Sequence, residues 1–98
     1  MIRHTVMFRL EGEGSAKAAS DFKTALEALP AQIAELQSIT VDLDNGAIAG
    51  NWTLTLTALC ADASALAAYS GHPAHLACVA IIKPYIAARA CVDGEIQA

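Results

Sequence analysis

The sequence has few aromatic residues, few charges and no long apolar run. Aromatic residues make up 5% and charged residues 16% of its 98 positions, whereas hydrophobic residues make up 55%. No apolar stretch approaches the roughly 18 residues that a membrane span requires, so we predict a soluble protein without membrane contact. A chain of this length buries one core, which predicts a single domain over residues 1–98.

Basic residues are also scarce. Six Lys and Arg residues stand against ten Asp and Glu residues, which gives a formal net charge of −4. The six basic residues are scattered along the chain, and this pattern argues against a phosphate-binding surface and therefore against a nucleic-acid partner. The opening residues lack the charged, apolar and cleavage regions of a signal peptide, so we predict a cytoplasmic location.

Cysteine pairs of the Cys-x-x-Cys type are absent. The three cysteines, Cys60, Cys78 and Cys91, are odd in number and far apart, which favours small buried hydrophobic residues without a functional role. His72 and His75 have the i, i+3 spacing of neighbours on a helix, but no third ligand is evident nearby. The sequence therefore predicts no metal site and no cofactor.

Apolar periodicity is what the sequence does supply. Alternation at period two predicts strands over residues 2–10, 39–43, 52–60 and 87–92, with Asn45-Gly46 and Asp93-Gly94 as turns. Helical spacing predicts a first helix capped by Ser15 and stopped by Pro30, and a second capped by Asp62 or Ser64. The order β-α-β-β-α-β predicts an α+β, ferredoxin-like fold whose four-stranded antiparallel sheet carries both helices on one face.

The other face of this sheet has no helix to cover it. The first and third strands would place Thr5, Met7, Thr55 and Leu59 there, among other side chains. Because such a face is too broad and apolar for a small monomer to expose, we predict a homodimer formed through the sheet face.

Two of the three histidines and one of the two tyrosines lie in the segment Tyr69-Ser70-Gly71-His72-Pro73-Ala74-His75. We expect Gly71 to end one helix in the left-handed conformation and Pro73 to occupy the first turn of the next. A helix after Pro73 would place His75 on the inward stripe. His4, on the apolar face of the first strand, should converge with it from the opposite side.

These residues carry a family resemblance. The features that carry it are Ile2-Arg3-His4 before an alternating strand, Asn51 ahead of the third strand, Tyr69-x-x-His72-Pro73-x-His75 and the late Val92-Asp93. In these features the chain resembles the stress-responsive A/B barrel domain proteins, or dimeric α+β barrels. The resemblance implies a homodimer whose two sheets face each other as a barrel, with a cavity between sheet and helices in each subunit. Plant polyketide cyclases of the family look similar at His75 and Tyr69, although most members have no assigned reaction.

Five residues are candidates for a site. His75 and Tyr69 are the predicted catalytic residues, and His4, His72 and Leu56 are the predicted ligand-binding residues. A neutral His75 at a helix N-terminus could act as a general base or acid, and Tyr69 could polarise a ligand carbonyl. The structural alternatives are a His75 bonded to Tyr69 or the backbone, a His72 that caps the second helical segment, a His4 satisfied within the core, and a Tyr69 packed with its hydroxyl at the rim.

Two functions follow from these alternatives. The first is an enzyme, cyclase-like or isomerase-like, in which His75 moves a proton on a small carbonyl or aromatic compound that Tyr69 and His4 orient. The second is a non-catalytic dimeric binding or stress-associated domain with structural histidines.

Overall fold

The computed structural model describes residues 1–97, which form an antiparallel sheet with helices on one face. The elements in chain order are β1 (Ile2–Leu10), α1 (Ser15–Glu27), β2 (Leu36–Leu43), β3 (Leu54–Cys60), α2 (Ala63–Gly71), α3 (Pro73–Ile82) and β4 (Ile86–Glu95). The strands lie in the order β2-β3-β1-β4, and all neighbours are antiparallel. The predicted α+β, ferredoxin-like fold is confirmed.

The core lies between the sheet and α1. Every second side chain of β1 and β3 is buried on the helix-facing side, as the period-two pattern predicts. From α1, Phe22 and Leu26 are fully buried, and the Phe22 ring meets Phe8 edge-to-face at 6.0 Å between ring centroids. This contact packs α1 against the central strand β1.

Helix ends differ from the sequence predictions at two positions. The N-cap of α1 is Gly14 in the left-handed conformation, with φ of 90°, so Ser15 is the first helical residue and not the cap. Gly71 belongs to α2 and is not left-handed; the chain instead becomes extended at His72, with φ of −65° and ψ of 135°. Pro73 explains the difference, because a proline pushes the preceding residue out of the helical region.

The last strand is longer than its pattern indicates. β4 includes Asp93-Gly94, which we predicted as a turn. Asp93 pairs with His4 and Gly94 with Arg3, so both residues are part of the β1–β4 ladder. Pairing with a central strand overrides the turn propensity of this dipeptide. As a result the Asp93 side chain shares a sheet face with His4.

The outer edge of β2 is covered by side chains of α1. The Glu27 carboxylate accepts a hydrogen bond from the Val41 N–H at 3.1 Å, and the Lys23 ammonium donates to the Val41 carbonyl at 2.6 Å. Lys23 and Glu27 are themselves 3.0 Å apart. These contacts satisfy backbone groups that an edge strand would otherwise offer to another strand. They also hold the pKa of Glu27 below its ordinary value, the Val41 N–H contributing most.

The opposite face of the sheet carries no helix from residues 1–97. Met7 is 44% exposed there and Val92 72% exposed, on the central strand β1 and the edge strand β4. Within the described chain no single helix is long and apolar enough to cross a bilayer. Only α2 taken together with residues Pro73–Tyr85 meets that standard, and a bend of 62° separates the two parts.

Candidate active site

The break between α2 and α3 is built by two caps. The Asp62 carboxylate accepts from the Ala65 N–H at 2.8 Å and begins α2. His72 Nδ1 accepts from the Ala74 N–H at 3.0 Å and begins α3, with Pro73 as the first helical residue. His72 therefore has the capping role that was the structural alternative for it. The break leaves Tyr69 in the last turn of α2 and His75 in the first turn of α3.

Tyr69 lies between two imidazole rings. Its ring centroid is 4.5 Å from that of His75 and 6.2 Å from that of His4, which it meets edge-on. The residue is fully buried, and its Oη has no hydrogen-bond partner among residues 1–97. The expectation of a hydroxyl at the rim is thus wrong, because α2 packs close enough to enclose the whole ring. Burial raises the pKa of Tyr69 above its ordinary value, so the phenol stays protonated.

His75 is held in one tautomer. Its Nδ1 lies 2.9 Å from the Ser70 carbonyl oxygen, which can only accept, so Nδ1 carries the proton. Burial lowers the pKa of His75 below its ordinary value, which favours the neutral ring at neutral pH. In that neutral ring Nε2 keeps its lone pair. The arrangement leaves a base beside a buried phenol.

His4 completes the cluster from the sheet side. It is 8% exposed, lies on the helix-facing side of β1, and its Nδ1 forms a hydrogen bond with Asp93 Oδ1. Asp93 is exposed on β4, so the pair extends from the core to the surface. His4, Tyr69 and His75 thus meet, as the opposing strand and helix periods predict.

Leu56 is buried in β3 and faces the helices. Its register partners are Val6 and Val41, so its immediate strand neighbours are aliphatic. Leu56 belongs to the same buried core as Tyr69. Its predicted contact with a ligand stays a prediction.

Two pockets in the part of the chain that the structure describes lie away from His4, Tyr69 and His75. A groove of about 700 Å³ lies on the helix-free side, between the sheet and the loop that joins β2 to β3. Its apolar wall includes Met7, Leu43, Ile48 and Trp52. A smaller pocket of about 290 Å³ lies between α1 and α3. The site around Tyr69 is a packed cluster in this conformation.

Comparison with known proteins identifies the family. The model of the stress-responsive A/B barrel domain matches residues 2–96. The chain belongs to this family. No curated protein matches the sequence of this A/B barrel domain.

Solved structures agree with the fold of the A/B barrel domain. A dimeric protein of unknown function and ferredoxin-like fold from Bacteroides fragilis is 31% identical, with a TM-score of 0.89 and coverage of 97% of this chain and 95% of its own. A dimeric ferredoxin-like protein of unknown function from Thermobifida fusca is 35% identical, with a TM-score of 0.84 and coverage of 97% and 90%. A hydroxynitrile lyase from Passiflora edulis shares the fold at 16% identity, with a TM-score of 0.80 and coverage of 98% and 93%.

Sequence reasoning missed two residues of this A/B barrel domain that lie at the site. Cys91 is exposed, not buried, and its Sγ lies 3.6 Å from His4 Nδ1. Asp93 was assigned to a turn. The signal that could have found them is the i, i+2 spacing of Cys91 and Asp93, which places both on one face if the strand continues past residue 92. Cys60 and Cys78 are buried, as predicted.

Proposed function

We propose that this A/B barrel domain catalyses proton transfer on a small carbonyl compound, with His75 as the general base and Tyr69 as the hydrogen-bond donor to the carbonyl oxygen. One observation carries the proposal. The hydroxyl of Tyr69 is buried without a partner, next to a histidine whose Nδ1 proton is committed to Ser70. A buried donor without an acceptor costs about 1–3 kcal/mol, and a ligand oxygen would remove that cost.

The chemistry follows from these two groups. Nε2 of His75 takes a proton from the carbon next to the carbonyl, and the electron pair moves onto the carbonyl oxygen. The Tyr69 hydroxyl stabilises the negative charge that develops there. In a β,γ-unsaturated carbonyl compound, return of the proton from His75 to the γ-carbon of the dienolate gives an isomerisation. In a compound with a second carbonyl, the enolate carbon attacks that carbonyl and the resulting alkoxide takes the proton back from His75, which gives a cyclisation. This reaction class goes beyond the family membership, which assigns no reaction. The fold neighbour from Passiflora edulis is named as a hydroxynitrile lyase, which supports an enzymatic role but names a different reaction.

His4 and Asp93 have a positioning role in this proposal. The Asp93 carboxylate fixes the His4 ring through Nδ1, and the ring in turn packs against the edge of Tyr69. A ligand would enter along the helix-facing side of β4, where Asp93 and Arg89 are exposed. Leu56 would contribute an apolar wall. His72 acts through its cap on α3, which sets the position of His75.

Two substitutions of His75 separate the base from the structural hydrogen bond. Asparagine places an amide N–H near the position of Nδ1 and removes Nε2, so His75→Asn retains donation to Ser70 without a base. Glutamine places its amide near Nε2, so His75→Gln loses the Ser70 contact. We expect His75→Asn to remain folded and to lose a factor of about 10² to 10⁴ in turnover on a responsive compound from a panel of aromatic and polyketide-like carbonyls.

The matched control is His72→Asn, because asparagine also caps helices. This variant should keep both fold and turnover. Ligand-induced chemical shift changes in wild type would identify the responsive compound before turnover is measured. Unchanged turnover in a well-folded His75→Asn protein would contradict the proposed base.

The alternative is a non-catalytic binding or stress-associated domain. Two observations favour it: Tyr69 is completely buried, and the groove of about 700 Å³ and the pocket of about 290 Å³ both lie elsewhere. In that case His75 and His72 serve only to join α2 to α3. A panel that produces shift changes confined to the groove under the β2–β3 loop, with no turnover, would support this alternative.

We also propose that the chain forms a homodimer through its helix-free sheet face. Two relatives above 30% identity are described as dimeric, and Met7 lies exposed at the centre of this face. Met7→Glu is expected to yield monomers in sedimentation at micromolar concentration. The control Leu76→Glu changes an exposed residue of α3 and should leave the dimer intact. The cytoplasmic location and the lack of nucleic-acid and membrane partners stay predictions.

A further inference from the structure

Three metal-ligating side chains meet at the β4 edge, on the helix-facing side. His4 comes from β1, and Cys91 and Asp93 come from alternate positions of β4. Cys91 Sγ is 3.6 Å from His4 Nδ1 and 3.7 Å from Asp93 Oδ1, and the latter two atoms are in hydrogen-bond contact. One ligand atom from each residue lies within 4.8 Å of the other two.

We infer that His4, Cys91 and Asp93 form a binding site for a borderline divalent transition metal ion of the Zn²⁺ class. In a tetrahedral zinc site the bond lengths are about 2.3 Å to sulfur and about 2.0–2.2 Å to nitrogen or oxygen. Those lengths imply a separation of about 3.6 Å between a sulfur ligand and a nitrogen or oxygen ligand. Both sulfur separations here already match that value.

Only one separation has to change when the ion binds. The His4 Nδ1 and Asp93 Oδ1 atoms must move apart to about 3.4 Å, the tetrahedral distance between a nitrogen and an oxygen ligand. Asp93 can provide this movement because its side chain is 45% exposed, whereas that of His4 is only 10% exposed. The rigid ligand is therefore in the core and the adjustable ligand is at the surface.

The charges and ligand types select the metal. A neutral imidazole, a thiolate and a carboxylate carry two negative charges, which a divalent cation neutralises. Mg²⁺ and Ca²⁺ prefer all-oxygen ligands, so the thiolate and imidazole disfavour them. Because Cys91 and Asp93 are exposed, the fourth position faces solvent and would hold water. Arg89 shares this strand face and brings a positive charge near Cys91, which opposes the ion.

Metal binding would change the contacts of His4 in the proposed active site. The metal-site inference does not depend on the proposed proton-transfer function. When the ion binds Nδ1, the His4 proton moves to Nε2 so that the ring stays neutral, and the Cys91 thiol releases its proton to solvent. Metal ligation then replaces the His4–Asp93 hydrogen bond. It leaves the Nδ1–Ser70 hydrogen bond of His75 in place, because His75 is not a ligand. A spectroscopic test of metal binding can therefore succeed or fail independently of an assay for turnover at His75.

Cobalt(II) titration of the chain of 98 residues, with its cysteines reduced, tests the inference directly. We expect a cobalt–thiolate charge-transfer band that saturates at one ion per chain and disappears when Zn²⁺ is added. Cys91→Ser should abolish the band. The matched control is Cys78→Ala, which removes a buried thiol at the α1–α3 contact and should leave the band unchanged.

Two further variants keep the test decisive if Cys91→Ser does not fold. Asp93→Asn should weaken cobalt binding at least about tenfold, the loss that even an outer-shell partner can cause. Arg89→Gln should tighten it, since a repelling charge is removed. A wild-type chain with no thiolate band would overturn the inference. So would a band that survives in Cys91→Ser, or cobalt affinity that is equal in wild type and Asp93→Asn.

Discussion

The two edge strands of the sheet, β2 and β4, differ in how far their helix-facing side chains are buried. On β2 the helix-facing side chains Leu36, Ile39 and Val41 are buried, and α1 also covers the outer backbone edge. On β4 the corresponding positions Arg89, Cys91 and Asp93 are exposed. One edge is closed by packing, while the other presents polar and ligating groups.

The difference separates stability from chemistry within one small sheet. The β2 edge gains free energy from apolar burial and leaves little room for reactive groups. The β4 edge lacks that apolar burial. Every candidate group of the site except Leu56 lies on β4, on the adjacent strand β1 or around the α2–α3 break. Substitutions on the two edges should therefore differ in kind: loss of stability at β2 and loss of site chemistry at β4.

The largest expected effect tests the closed edge. Leu36→Ala removes a buried side chain of β2 and should lower the free energy of unfolding by about 2–5 kcal/mol. Arg89→Ala on the open edge should change it by no more than about 0.5 kcal/mol. Chemical denaturation of both variants measures the difference. Equal losses would show that β4 is packed as tightly as β2.

At the site itself, removal of a group should stabilise the fold. Tyr69→Phe deletes a buried hydroxyl that has no partner within residues 1–97, so we expect the free energy of unfolding to rise by about 1–3 kcal/mol. The half-buried Tyr85 supplies the control, and Tyr85→Phe should be near neutral. A destabilised Tyr69→Phe protein would contradict the view that this hydroxyl is retained for a ligand.

The contacts that close the β2 edge can be weakened without disturbing the core. Glu27→Ala leaves the Val41 N–H without its acceptor and should cost about 1 kcal/mol at neutral pH, whereas the exposed Glu35→Ala should cost almost nothing. The folded pKa of Glu27 is below its ordinary value of 4.5. Its contribution is therefore complete above that pH and is lost as the pH falls through the lowered value. Denaturation curves of wild type and Glu27→Ala should converge in acid.

The last prediction concerns the pH dependence of stability that arises at His75, in the first turn of α3. Burial lowers the pKa of folded His75 below its ordinary value of 6.5, so the unfolded chain takes up a proton first as the pH falls. The free energy of unfolding should decline below pH 6.5 by at most about 1.4 kcal/mol per pH unit, until the folded pKa is passed. His75→Asn should remove this slope and His72→Asn should keep it. A slope that survives in His75→Asn would assign it to another group.

Much of the fold follows from periodicity, because β1 and β3 alternate without exception and each has one buried face. The meeting of His4, Tyr69 and His75 also follows, since opposing strand and helix periods fix which way each side chain points. The end of β4 does not follow. Asp93-Gly94 has the local chemistry of a turn, and only its pairing with β1 reveals it as strand. The burial of the Tyr69 hydroxyl depends on how closely α2 approaches the sheet, which no pattern in the sequence encodes.

The contact between His4 and Asp93 joins positions 89 residues apart, near opposite ends of the chain. Such a contact cannot form while the chain is being synthesised until almost the last strand has left the ribosome. β2, β3 and α1 lie earlier in the sequence and can pack before that point. The closed edge can thus fold ahead of the open one, and the candidate site forms only once β4 is available to pair with β1. A chain truncated before residue 93 would lack Asp93, and with it the hydrogen bond that orders His4.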